Sequence, residues 1–184
     1  GGPSVKPYQP EGVWEAVAMK ESDTRSYKQD TGDGLYRRSL YTLWKRSAPP
    51  ASMEIFNAPS RETCTVRRER TNTPLQALVT MNDPQFVEAA MVLAERAMKA
   101  GGDVDARAGF MAARLLGRDL EERERAVVRE AYKTFLRHYD SVPADAAKLI
   151  AVGETKAETG AAAELAALTM VANQLMNLDE VLVK

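Results

Sequence analysis

The sequence predicts an all-α protein, a helical bundle of five to six helices with a loop-rich N-terminal third wrapped on it. Three observations indicate this class. Apolar residues recur three or four positions apart after residue 73, the dipeptides Thr73-Pro74 and Asp83-Pro84 mark helix starts, and no alternating strand pattern occurs in that half. We expect one domain, 1–184, with a basic layer at 1–72 and the bundle at 73–184, as a fragment of a larger protein.

The first third predicts little regular structure. Residues 1–34 are rich in Gly, Pro, Ser and Asp, and only 10–20 favours a helix, with Trp14 and Val17 three positions apart. Residues 35–46 predict a second helix, because apolar and aromatic pairs recur every four residues, although the aromatic content leaves a strand as the alternative. Three prolines within 47–64 predict a loop with at most one short turn.

Two successive helices follow. In each, a capping side chain can accept from an unpaired backbone amide, and the proline occupies a position that needs no donor. We predict a short helix at 74–81 and a long one from 84 to about 99. The long helix is expected to bury Phe86, Ala90, Leu93 and Ala97.

Four more helices are predicted, at about 103–116, 120–138, 143–152 and 158–177, with Asp119 capping the second of them. Two pairs four residues apart, Asp119/Arg123 and Glu121/Arg125, should support its exposed side. The helix at 103–116 is expected to bury Phe110, Ala113 and Leu116. The helix at 120–138 is expected to bury Leu120, Val127, Val128, Ala131 and Phe135. The helix at 158–177 is expected to bury Leu165, Leu168, Ala172 and Leu175.

Composition excludes some partners. The 25 basic and 26 acidic residues balance, so bulk charge gives no reason to expect nucleic acid or an anionic membrane as partner. There is no apolar run of about 18 residues, so no membrane span is predicted. The charge is uneven, because residues 35–82 hold eight basic and three acidic residues, a net of +5. The one cysteine, Cys64, is expected to be a small buried hydrophobe, with a reactive thiol as the alternative.

No catalytic or metal-binding set is predicted. His138 lies at the end of a predicted helix, without a neighbouring nucleophile or converging ligands, and is interpreted as a helix-end histidine. Glu121/Glu122 and Asp179/Glu180 are adjacent residues, which point about 100° apart on a helix and so cannot face one substrate. The segment 32–34 lacks the strand and the lysine of a phosphate loop and is interpreted as a turn.

The basic middle of the chain is the best binding candidate. Arginine forks bind carboxylate, sulfate or phosphate with two prongs, so this region could hold an acidic glycan or an acidic protein surface. The alternative is that these residues pair with acidic groups of their own parent protein. The candidate anion- or partner-binding residues are Arg37, Arg38, Lys45, Arg46, Arg67, Arg68, Arg70 and Trp44, together with Tyr36 and Tyr41.

A second candidate set is structural. We expect Arg70, Asn72 and Gln76 to hydrogen-bond loop carbonyls, because buried guanidinium and amide groups require partners. The whole set, called the polar elbow below, is Arg70, Asn72, Thr73, Gln76, Asn82 and Asp83.

Four blocks of the sequence also carry a family resemblance. They are residues 2–10, 35–42, 65–84 and 170–180, of which the third reads TVRRERTNTPLQALVTMNDP. The chain resembles the C-terminal part of the planctomycete-type cytochrome-c-associated domain, family 1553 among the domains of unknown function. The resemblance implies an exported parent protein with haem c held elsewhere, an extracytoplasmic location, and no catalytic residues to carry over.

The expected function is therefore a non-catalytic interaction or scaffold module that contacts other domains of its parent protein. Two alternatives remain at this stage. One is the substrate-holding part of an enzyme that acts on acidic or sulfated polysaccharide. The other is a docking face for an electron-transfer partner, whose association would be sensitive to salt. No cofactor, metal or nucleic acid is expected in this fragment.

Overall fold

A computed structural model describes residues 2–16, 18–23, 25–45, 49–158 and 160–183. It confirms the all-α class, since the described residues contain helices and no strand. The chain divides into two compact units, the first unit at 1–71 and the second unit at 72–184. Val17 and Arg46, which were predicted to contribute to a helix and to the basic site, lie outside the described residues.

The helices described in the second unit are α3 (Pro74–Asn82), α4 (Pro84–Ala100), α5 (Val104–Leu115), α6 (Glu122–Ser141), α7 (Pro143–Ile150), α8 (Ala162–Met176) and α9 (Asp179–Leu182). Helix α8 is the centre of this unit. It packs mainly against α4, α6 and α7 and is apolar around most of its circumference, as expected of a helix buried on several sides. The predicted inward residues Leu165, Leu168, Ala172 and Leu175 are all buried.

The starts of α3 and α4 confirm the predicted caps. The Thr73 hydroxyl accepts from the backbone N–H of Gln76 at 3.3 Å, and the Gln76 side-chain oxygen accepts from the N–H of Thr73 at 2.9 Å. This reciprocal pair is a capping box. Asp83 accepts from the N–H of Gln85 at 2.9 Å and so begins the next helix directly after the first. Local side-chain chemistry therefore fixes this corner of the unit.

Small residues line the contact face of α4 and α5. Ala90, Ala94 and Ala97 are fully buried on α4, and Ala108 and Ala112 are buried on α5. Side chains of this size let two helix backbones approach closely. Phe86 and Leu93 of α4 were predicted to be buried and are only partly buried. Ala113 of α5 is exposed, so the prediction that it is buried is wrong.

Helix α6 begins later than predicted. Asp119 is not its cap; the helix starts at Glu122, and the carboxylate of Glu124 accepts from the N–H of Glu121 at 2.7 Å. Leu120 is buried just before the helix, whereas Val127 is 70% exposed, against the prediction. The two charge pairs predicted for this helix form no ion pair among the described residues. Its buried residues are Tyr132 and Tyr139.

The first unit contains only short helical pieces among its described residues. These are α1 (Val13–Ala16), α2 (Ala51–Ile55) and the 3₁₀ turns Gly32–Leu35 and Ser39–Tyr41. The helix predicted at 35–46 is wrong, because Val5 pairs there in a parallel bridge with Thr42. The N–H of Val5 donates to the Tyr41 carbonyl, and the Leu43 N–H donates to the Val5 carbonyl, both at 2.8 Å. These bonds require extended backbone at positions that a helix would occupy.

Candidate functional site

An exposed basic segment is the main candidate site. We define it as residues 61–70, each of which is exposed to solvent. It carries four arginines and two glutamates. Cys64 lies within it and is exposed, so its predicted burial is wrong. The segment therefore presents a net positive, water-facing stretch of ten residues.

Two hydrogen bonds connect the C-terminal end of this segment and the adjacent Thr71 to Phe56 and Asn57. Arg68 donates from Nη1 to the Phe56 carbonyl at 3.0 Å, and Asn57 donates from Nδ2 to the Thr71 hydroxyl at 2.7 Å. Arg67 and Arg70 are exposed and form no hydrogen bond or ion pair within the described part of the chain. The expectation that Arg70 bonds a loop carbonyl is therefore wrong, because its guanidinium faces water.

Aromatic rings contact two of the other predicted cations. The Arg37 guanidinium lies 3.9 Å from the centre of the Tyr41 ring and donates to the Pro3 carbonyl at 2.8 Å. Lys45 Nζ lies 4.9 Å from the Trp14 ring. Such contacts are typical cation–π geometry. These two cations are thus engaged inside the first unit, whereas Arg38 is exposed.

One predicted aromatic residue does reach the basic segment. The guanidinium of Arg61, which sequence reasoning did not select, lies 4.5 Å from the centre of the Trp44 ring. Trp44 therefore supports the start of the segment. The described contacts join Trp44 to the segment but do not join Arg37 or Lys45 to it.

The polar elbow is a part of the fold. Gln76 is 2% exposed, and its side-chain oxygen accepts from the Thr73 N–H of its own helix cap. Asn72 donates to the Asp179 carboxylate at 3.1 Å instead of to the predicted loop carbonyl. Asn82 donates to the Leu78 carbonyl at 2.8 Å in the last turn of α3. Asp83 is the helix cap, and burial raises the pKa of its carboxyl above the ordinary value.

Two asparagines continue this polar network into the core. Asn173 donates from Nδ2 to the Thr80 carbonyl at 2.8 Å, and the Thr80 hydroxyl donates to the side-chain oxygen of Asn177. The end of α8 is thus hydrogen-bonded to α3. These bonds satisfy the buried side chains of Thr80 and Asn173.

A pair of buried glutamates was missed by sequence reasoning. Glu88 and Glu95 of α4 are 2% and 7% exposed. Glu88 accepts from the backbone N–H groups of Glu154 at 3.1 Å and Thr155 at 2.6 Å, and Glu95 accepts from Glu158 N–H at 2.7 Å. We call this arrangement the glutamate clamp. Its sequence signal was the seven-residue spacing of the two glutamates, which places them on one face of the helix. An exposed charged face has the same spacing, so the sequence does not reveal that these glutamates are buried.

Two carboxyl groups of the second unit with a lowered pKa, Asp105 and Glu124, are ion-paired with arginines. Arg129 donates to Asp105 from Nε and from Nη2, each at 2.7 Å, and this fork lowers the pKa of the Asp105 carboxyl. The Arg118 fork lowers the pKa of Glu124 to about 2. Each shift has a structural cause, since the charged partner stabilises the ionised form. His138 is exposed at the end of α6, 3.4 Å from Asp145, in agreement with its interpretation as a helix-end histidine.

Sequence reasoning also missed a polar cavity in the first unit. Its volume is about 490 Å³, and its lining includes Gln9, Glu11, Glu15, Tyr27 and Gln29. The lining comes from two stretches about ten residues apart in sequence. No helical or strand period links them, so the sequence alone gave no signal for the cavity.

Neither a metal-binding cluster nor a membrane-spanning helix occurs in the part of the chain that the structure describes. No group of three or more His, Cys, Asp or Glu side chains is placed to hold a metal ion. No helix there combines the length and hydropathy needed to cross a membrane.

A family model described as PSD1, protein of unknown function (DUF1553), matches residues 1–132. No curated protein matches the chain, and no solved structure matches it. The matched range contains the basic segment, the polar elbow and the polar cavity.

Proposed function

The chain belongs to the PSD1 family of proteins of unknown function (DUF1553), and from this premise we propose that it is a non-catalytic interaction module that holds an acidic partner on its basic segment. The observation that carries the proposal is the exposure of all ten residues 61–70, with Arg67 and Arg70 facing water. An exposed arginine keeps its full set of donors for a carboxylate or sulfate.

The arrangement of charge supports this function over a purely structural role. Several arginines of the second unit are different, since Arg107, Arg118 and Arg129 form ion pairs with its carboxylates. Arg68 is anchored to a carbonyl, which keeps its positive charge uncompensated. Exposed like charges in one segment repel one another, and an acidic partner relieves that repulsion.

We also propose that the module belongs to an exported parent protein that holds haem c in another part. The support is the resemblance of four sequence blocks to cytochrome-c-associated proteins. Covalent haem attachment requires a Cys-x-x-Cys-His motif, and this chain has one cysteine and does not contain that motif, so its own residues do not fit the group. Fractionation of the native host, followed by haem staining of the full-length protein, tests both parts. A cytoplasmic or haem-free parent contradicts them.

Binding of dextran sulfate tests the partner class. The native chain should bind it with an affinity that falls steeply with added salt, whereas neutral dextran should not compete for the basic segment. The variant Arg67→Ala/Arg68→Ala/Arg70→Ala should bind about tenfold more weakly, because surface ion pairs contribute at most about 1 kcal/mol each. No binding, or no loss in the variant, overturns the proposal.

A matched variant distinguishes binding by the basic segment from binding that depends only on the net charge of the chain. Arg96, Arg123 and Arg137 are exposed in the second unit, and replacing all three with alanine changes the net charge by the same amount. This control should bind dextran sulfate as the native chain does. An equal loss in both variants means that bulk charge, and not the segment, is responsible.

Poly-glutamate distinguishes the two kinds of acidic partner. A preference for dextran sulfate assigns the segment to sulfated or acidic glycan. A preference for poly-glutamate assigns it to an acidic protein surface, as an electron-transfer docking face requires. Either preference must disappear in the triple arginine variant for the assignment to hold.

A further inference from the structure

We propose that the peptide bond between Arg67 and Arg68 is a processing site for an arginine-specific endopeptidase. This bond lies in the basic segment, just before the second unit begins at residue 72. Hydrolysis there leaves the second unit whole within a product that spans 68–184. The inference goes beyond the proposed function and does not depend on it, because cutting requires no acidic partner.

The backbone around this bond is accessible to a protease. A peptide that pairs with another protein through its backbone groups binds as an extended strand, and an endopeptidase holds its substrate in this way. Residues 63–70 are exposed, and within the described chain they form no backbone–backbone hydrogen bond. Val66, directly before Arg67, is fully exposed. The segment can therefore become extended without breaking a backbone bond.

Side-chain contacts distinguish Arg67 from two other arginines of the segment. An arginine-specific protease binds one guanidinium group directly in its specificity pocket, so that group must be available. Arg67 faces water and forms no hydrogen bond or ion pair within the described part of the chain. Arg61 has a left-handed backbone, with a φ of +65°, and lies over the Trp44 ring. Arg68 donates to the Phe56 carbonyl at 3.0 Å.

The start of α3 disfavours the remaining arginine, Arg70. Its guanidinium faces water, but residues that follow it are held in place. Asn72 donates to the Asp179 carboxylate at 3.1 Å, and the Thr73 hydroxyl forms the helix cap. A protease that cut after Arg70 would have to draw these residues into an extended strand and so break the cap. The bond after Arg67 carries no such cost.

Exposed arginines elsewhere lie in structure that resists cutting. In the first unit, the Arg25 N–H donates to the Ser22 carbonyl at 3.0 Å. The Arg38 carbonyl accepts from the Tyr41 N–H at 2.9 Å, so both arginines lie in hydrogen-bonded turns. A helix must unfold locally before it is cut, which slows hydrolysis on the order of 100-fold or more. The exposed arginines within the described helices of the second unit are Arg96, Arg114, Arg123 and Arg137.

The cut itself consumes one water molecule. Water supplies a hydroxyl group to the Arg67 carbonyl carbon and a proton to the Arg68 nitrogen, and the C–N bond between them breaks. After proton transfer, the products carry a carboxylate at Arg67 and an ammonium group at Arg68. The nucleophile, the general base and the oxyanion hole are the protease's, so this chain supplies the scissile bond and the guanidinium that is recognised.

Limited digestion of the native chain tests the assignment. Clostripain, which cuts after arginine, should first produce the fragments 1–67 and 68–184, identified by intact mass. Arg67→Gln should slow that cut about 10,000-fold, because a pocket built to bind a polar group is left unpaired when the group is absent. Arg70→Gln removes a neighbouring arginine and should leave the rate of the first cut unchanged.

Lys156→Arg is the matched control for exposure alone. Position 156 is exposed in a loop, but the glutamate clamp holds backbone amides on both sides of it, at 155 and 158. An arginine there should be cut about 100-fold more slowly than Arg67, because the clamp must open first. A first cut at any other bond, or an equal rate at position 156, overturns the proposal. Circular dichroism reports whether each variant is folded.

Chain ends in the native host test whether the site is used. N-terminal labelling of cells that produce the full-length protein should detect a chain that begins at Arg68, and its absence overturns the processing role. Neither assay contains an acidic polymer. A chain that is cut but does not bind dextran sulfate therefore contradicts only the proposed function, and a chain that binds but is not cut contradicts only this inference.

Discussion

The two units of this chain differ in the contacts that many of their cations make. In the second unit, several arginines pair with carboxylates, as in the Arg118–Glu124 pair, and the glutamate clamp binds backbone amides. In the first unit, cations lie over aromatic rings or face water, as Arg37 and Arg67 do. Groups that are already paired maintain a fold, whereas groups that face solvent remain able to bind a partner. The contrast is consistent with the proposed binding role of the basic segment in the first unit and with an ion-pair network that stabilises the second.

The two units can be observed separately. Both tryptophans, Trp14 and Trp44, lie in the first unit, so tryptophan emission reports on that unit. The long helices lie in the second unit, so far-ultraviolet circular dichroism reports mainly on it. The predictions below use this difference.

The largest expected effect comes from Gly153→Ala. Gly153 has a φ of +89°, and an added methyl group would collide with the Glu88 carboxylate. The change forces strained backbone and breaks the bonds of a buried carboxylate, so the free energy of unfolding of the second unit should fall by about 3 kcal/mol. Urea unfolding followed by circular dichroism measures the loss.

Gly160→Ala is the matched control for this change. Gly160 lies beyond the same loop, and an added methyl group there meets nothing within 4 Å. Its unfolding midpoint should stay near that of the native chain. Equal losses for Gly153→Ala and Gly160→Ala would show that the clamp does not stabilise the second unit.

A smaller effect is expected from Thr73→Ala. The change removes the hydroxyl that accepts from the Gln76 N–H, and loss of such a helix cap costs about 1 kcal/mol. The same substitution at Thr134, an exposed position within α6, should not destabilise the chain, because alanine is the better helix former. A Thr73→Ala protein as stable as Thr134→Ala would mean that packing, and not the cap, sets the start of α3.

The smallest expected effect concerns acid. Arg118 donates two bonds to Glu124, both at 2.8 Å, and lowers the pKa of that carboxyl from 4.5 to about 2. A carboxyl group with a lowered pKa in the folded state contributes stability above pH 4.5, and this contribution is lost as the pH falls from 4.5 towards 2. The urea midpoint of the second unit should therefore decrease across that window.

In the Arg118→Gln variant, the urea midpoint of the second unit should decrease less between pH 4.5 and 2, because Glu124 then titrates closer to its ordinary pKa. Lys133→Gln, which removes an exposed pair with Glu130, is the control and should leave the pH profile unchanged. Identical pH profiles for Arg118→Gln and the native chain would contradict the assignment.

Local signals explain what the sequence could predict. The starts of α3 and α4 depend on Thr73-Pro74 and Asp83-Pro84, whose capping chemistry acts within three residues, and these were predicted to within one residue. The inward residues of α8 follow from a long apolar period. The failed helix at 35–46 has the opposite origin, because a distant residue, Val5, determines its backbone.

The candidate site likewise combines features that the sequence predicts with features that depend on tertiary contacts. The charge of the basic segment is visible in the sequence, but its exposure and the contact between Arg61 and Trp44 are tertiary properties. The buried Glu88 could not be distinguished from an exposed glutamate, since burial depends on amides that lie 66 and 67 residues away. Long-range hydrogen bonds therefore set the limit of prediction here.

The glutamate clamp has a practical consequence for labelling this protein. Glu88 and Glu95 hold main-chain N–H groups, which every amino acid except proline provides. The side chains at 154, 156 and 158 are exposed and can therefore be exchanged, provided that Gly153 is kept and proline is avoided at the donor positions. A cysteine introduced at Lys156, with the exposed Cys64 replaced by serine, would accept a fluorophore at a rigidly held point on the bundle surface.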